Sequence, residues 1–181
     1  MKFYYILILG LLVFTSCNDD DVMIENPEEL ITTVRLSLNN GNGTVSIFTF
    51  RDLDGDGGNE PTIAAPKLTA NTTYTGNITF VNETEDPQEN ITEEIEEEDL
   101  EHQIFYSING ADASLSYLDT DPEGNPVGLS IEFVTGEASS GTLVVTLKHE
   151  PVKDAAGVAE GDITNAGGET DIEVTFPLVI E

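Results

Sequence analysis

The chain has 181 residues, 35 of them acidic and 6 basic, for a formal charge of −29. So negative a chain lacks the charge to hold DNA, RNA or an anionic lipid surface. Hydrophobic residues at 39% and a mean hydropathy of −0.13 exclude both a polytopic membrane protein and a fully disordered acidic chain.

Residues 1–16 read as a signal peptide. Lys2 supplies the positive n-region, and residues 4–14 (YYILILGLLVF) form an unbroken apolar run too short to span a bilayer. Phe14-Thr15-Ser16-Cys17 resembles a bacterial lipobox, and the only cysteine of the chain stands where that motif needs it. The resemblance implies that Cys17 is lipidated on its sulfur and becomes the mature N-terminus. Asn18-Asp19-Asp20-Asp21 resembles the acidic tether of Bacteroidota outer-membrane lipoproteins, which implies a lipid-anchored outer-membrane protein facing the cell surface or, alternatively, the periplasm. Residues 17–29 are acidic and contain Pro27, so they read as a flexible tether. The folded domain is then 30–181, long enough for one hydrophobic core without disulfide or metal staples.

From residue 31 the pattern turns to period two. Strands are expected at 31–38, 44–51, 73–81, 103–108, 113–118, 128–134, 141–149 and 170–180, all rich in Val, Ile, Thr, Phe and Tyr and separated by Gly, Asn, Asp or Pro clusters. The expected fold is all-β, an immunoglobulin-like antiparallel sandwich of about eight strands. Asn39-Asn40-Gly41-Asn42-Gly43 can supply positive φ, so the first two strands read as a hairpin. In the last strand Ile172, Val174, Phe176, Leu178 and Ile180 share one face, and Pro177, which lacks a ladder donor, places that strand at a sheet edge or leaves it paired on one side only there.

Two segments depart from the scheme. Residues 83–101 hold eleven acids and no base, with Ile91, Ile95 and Leu100 as a thin apolar stripe and Asn90 and Glu93 at capping-box spacing. Like charge at adjacent turns disfavours a helix there. The run reads either as a solvated face or as a cation sink that steers a basic partner. Residues 150–169 read as a long Gly- and Ala-rich loop.

Two constellations could take a metal. Asp52, Asp54, Asp56 and Gly57 resemble the first half of an EF-hand loop, with Ile63 where its bidentate Glu belongs and Glu60 as a substitute at the ninth position. The loop is either a Ca²⁺ site or a solvated turn whose Asp side chains bond their own backbone.

The second constellation is a pair of histidines. His102 opens one strand in phase with Ile104, Tyr106 and Ile108, and His149 closes another in phase with Leu143, Val145 and Leu147. If those two strands pair antiparallel, both imidazoles lie at one rim on the core side, with Glu98, Glu101 and Glu150 close by in sequence. That is an N/O ligand set for Zn²⁺ or another divalent transition metal, provided the rings lie within about 8 Å of each other. The plainer alternative is two polar strand terminators.

No G-x-S-x-G elbow, P-loop or dinucleotide fingerprint occurs, and neither His sits in a nucleophile motif, so no enzymatic activity is expected. CNDDD, ELITTVRLSL, FRDLDGDGGNEP, LTANTTYTGNITFVNE, ITEEIEEEDLEHQIFY, SSGTLVVTLKHEP and GDITNAGGETDIEV together resemble a family of small Bacteroidota outer-membrane lipoproteins often encoded near TonB-dependent receptors. Some members carry the label of a type 1 periplasmic binding fold, a two-lobed α/β architecture that the β-rich pattern contradicts. The resemblance implies a surface accessory that captures a ligand or metal and hands it on to a TonB-dependent receptor. With the acid run, His102 and His149, the expected function is a non-enzymatic accessory subunit in nutrient uptake that captures a metal ion or metal complex. The alternative is a structural or adhesive surface lipoprotein with a Ca²⁺-stabilised loop.

Overall fold

The computed structural model describes residues 30–55 and 58–181. Residues 1–29, where the signal peptide, the Cys17 lipidation site and the tether are expected, lie outside the described residues, as does Asp56. Among the described residues nine strands form, in the order β1 (Thr33–Asn39), β2 (Val45–Arg51), β3 (Thr62–Ala64), β4 (Thr73–Val81), β5 (His102–Asn109), β6 (Ala113–Tyr117), β7 (Ser130–Thr135), β8 (Ser139–His149) and β9 (Glu169–Ile180). One helix, α1 (Ile91–Glu97), joins β4 to β5. Each of the eight expected strands is present, and β3 is the ninth. It has only three residues, all exposed, too short for an alternation to register in the sequence.

The strands make two antiparallel sheets, ordered β3-β2-β1-β4-β7-β6 and β5-β8-β9. Without the β2 and β3 additions, β1-β4-β7-β6 and β5-β8-β9 reproduce the A-B-E-D and C-F-G order of an immunoglobulin constant-type sandwich. Period-two patterning decides which side chains go between the sheets. Val34, Leu36 and Leu38 from β1, Ile78 and Phe80 from β4, and Leu143, Val145 and Leu147 from β8 are all buried. Phe48 of β2 meets Phe176 of β9 edge to face, with ring centroids 5.7 Å apart. This aliphatic and aromatic core takes the place of the disulfide and Trp found in antibody domains. β9 lies at the edge of its sheet, as Pro177 requires, with Pro177 opposite Thr142 of β8.

α1 forms although its exposed face is crowded with glutamates. Ile91 and Ile95 are fully buried against the core, and the Thr92 hydroxyl accepts from Phe80 N at 2.9 Å and donates to Phe80 O at 3.1 Å. Burying one Ile is worth about 1.5–3 kcal/mol. An exposed like-charge pair costs only about 0.2–0.5 kcal/mol, so packing decides. Asn90 and Glu93 do not make a capping box, since Asn90 Nδ2 donates to the Glu93 carboxylate and no side chain caps the helix.

The 150–169 segment is a series of turns folded over the outer face of β5, with a 3-10 turn at Ile163–Asn165. Phe105 is buried there with Val158 and Ala166, and Gln103 Nε2 donates to Val158 O at 2.9 Å.

Candidate metal centre

The register of β5 on β8 places His102 directly opposite His149. Their rings stack with centroids 4.8 Å apart and planes within 10°. The antiparallel pairing, the shared rim and the core-side parity expected for the two imidazoles are all present. His102 is buried and His149 half-buried. Glu98 and Glu101 come from the turn between α1 and β5, and Glu150 follows β8 directly. Glu150 N donates to Glu101 O at 2.6 Å, tying the two approaches together.

His102 Nδ1 lies 3.1 Å from Glu98 O. A carbonyl can only accept, so Nδ1 carries the proton of the neutral ring and the lone pair is on Nε2. Burial pushes the His102 imidazole below its ordinary value, against the opposing effect of the Glu98 carbonyl. A neutral ring, fixed through one nitrogen by a backbone carbonyl, is the form in which histidine ligates a metal.

Two overlapping sets of potential ligand atoms result, Glu98-His102-His149 and Glu101-His149-Glu150, each with its atoms within 4.8 Å of one another. Ligand atoms around one tetrahedral Zn²⁺ lie roughly 3.3 Å apart, so either set would have to close slightly. Two parallel stacked rings cannot both aim in-plane lone pairs at one ion. Sharing one therefore requires the more exposed His149 ring to rotate, while His102 stays held by Glu98. His149 Nε2 is 3.8 Å from the Glu101 carboxylate and belongs to both sets.

The aspartate loop is organised differently. Asp52 Oδ1 accepts from Asp54 N at 3.3 Å and Gly55 N at 3.0 Å. Asp54 Oδ2 accepts from Asn59 N at 3.0 Å and Asn59 Nδ2 at 2.6 Å, and these bonds hold the Asp54 carboxyl below its ordinary range. Both carboxylates thus bond within their own loop, Asp52 in an Asx turn and Asp54 across the loop to Asn59. Glu60 is exposed, and Ile63 lies in β3.

Sequence reasoning missed a buried ion pair below the same end of the sandwich. Lys153 Nζ is 3.0 Å from Asp121 Oδ2 and also donates to Asp99 O and Pro126 O. Burial pushes the Asp121 carboxyl up, but the bonds from Lys153, Asn125 N and Glu123 N outweigh it and hold the group below its ordinary range. The two partners are 32 residues apart with no shared motif, so no local signal could have paired them.

Among the described residues, no helix is long and apolar enough to cross a membrane. No protein-family model, curated protein or solved structure matches this chain.

Proposed function

We propose that the protein is a non-enzymatic, lipid-anchored surface lipoprotein of the outer membrane that binds a divalent transition metal, as an accessory to uptake through a TonB-dependent receptor. The observation that carries the metal reading is the His102–His149 pair, directly opposed on neighbouring strands with Glu98, Glu101 and Glu150 around it. Borderline nitrogen ligands with one or two carboxylates suit Zn²⁺, Cu²⁺ or Ni²⁺ better than Ca²⁺. The lipid anchor and the receptor rest on the resemblance of residues 14–21 and of the chain's motifs to Bacteroidota lipoproteins.

Calorimetric titration of the chain lacking residues 1–17 with Zn²⁺, Cu²⁺, Fe²⁺ and Ca²⁺ tests the binding. Micromolar or tighter binding of a transition metal, with weaker Ca²⁺ binding, is the expected result; affinities no better than about 1 mM for all four would sink it.

A further inference from the structure

The core of the sandwich is closed on one side and open on the other. Phe48 and Phe176 are fully buried, whereas Tyr106 and Ile108 of β5 and Leu115 and Tyr117 of β6 face inward yet remain only half-buried. Between these two edge strands lies a cleft of about 650 Å³ lined by all four.

Hydrogen-bond direction shows what the cleft offers. Ile104 N donates to Val127 O, away from β8, so the alternate residues Tyr106 and Ile108 turn their N–H and C=O groups the same way. Leu118 N donates to Ser130 O, towards β7, so Leu115 and Tyr117 turn theirs away from β7 into the cleft. Each edge therefore presents donors and acceptors at the two-residue strand repeat, a pattern that an extended peptide backbone matches. The β5 edge is already partly covered by Val127, which leaves β6 as the pairing edge.

The lining also sets the side-chain chemistry. Ile108, Leu115 and the two Tyr rings call for apolar side chains on the inner face of an incoming strand. Asp119 and Glu160 line the cleft and no Lys or Arg does, in a chain of charge −29, so the outer face should be basic. We propose that this cleft binds one extended peptide segment, apolar on one face and basic on the other, added as a strand along β6.

The test uses a fluorescent KVKVKV hexapeptide, its acidic counterpart EVEVEV and a fully N-methylated KVKVKV, each titrated against the protein by anisotropy, with amide hydrogen exchange measured on the complex. KVKVKV should bind at least about tenfold more tightly than either analogue and slow exchange at Leu115 and Tyr117. Leu115→Pro, which removes a donor facing the cleft and none facing β7, should weaken binding by a similar factor. Equal binding of the N-methylated peptide, protection mapping away from β6, or no binding up to about 1 mM would each overturn the proposal. The N-methylated peptide keeps the test decisive if the proline variant does not fold.

Discussion

His102 and His149 face each other across the β5–β8 ladder with their rings stacked at 4.8 Å, one buried and held by a backbone carbonyl, the other half-buried and common to both carboxylate sets. The asymmetry separates their roles. His149→Ala should reduce transition-metal affinity at least about tenfold with little loss of stability, because a partly exposed side chain at the sheet rim leaves no sealed cavity. Calorimetry and a denaturant melt on the same variant check both halves. Unchanged affinity would remove His149 from the site.

The Lys153–Asp121 pair makes a different prediction. Asp121→Asn leaves a buried ammonium without its counter-charge, and breaking such a pair costs about 3–5 kcal/mol. Combining it with Lys153→Met removes the uncompensated charge, so the double variant should be more stable than Asp121→Asn alone. Urea unfolding of the two singles and the double gives the coupling directly.

Eight of the strands are legible in the sequence because each has at least five residues and a face that is buried or half-buried, and the His pair is legible because strand parity and one assumed pairing suffice to place it. β3 is not, being short and fully exposed. α1 is not, because its stabilisation comes from Ile91, Ile95 and the Thr92–Phe80 bonds, while the local sequence shows mainly repulsion among glutamates. The cleft between β5 and β6 depends on which edges the topology leaves open, a property of the whole sheet order.

Glu83 predicts a pH dependence. Its carboxylate binds Arg35 at 2.6 Å and Arg51 at 2.7 Å, and the Arg51 bond outweighs burial to hold it below its ordinary value of 4.5. A depressed folded-state value means the unfolded chain takes up the proton first. The stabilisation is therefore present above 4.5 and lost as pH falls through the depressed value. Glu83→Gln should be less stable than the parent near neutral pH, and the gap should narrow in acid. Denaturant melts across that range check it, and a gap that widens in acid would contradict the assignment.

Gly76 lies on the inward face of β4, where an added Cβ would stand 2.6 Å from Ile131 Cγ1 and 2.8 Å from Leu38 Cδ2. Both neighbours are fully buried, so neither can swing aside into solvent. Gly76→Ala should cost about 1–3 kcal/mol through overpacking, despite the better strand propensity of alanine. Ile131→Ala alone opens a cavity and should cost about 2–5 kcal/mol. In the double variant the new methyl enters the space vacated by Ile131, so the combined loss should fall short of the sum of the two single losses. A strictly additive result from the urea melts would mean that the backbone of β4 shifts to absorb the methyl group, and that the close packing of β4 on β7 and β1 is not what requires glycine at this position.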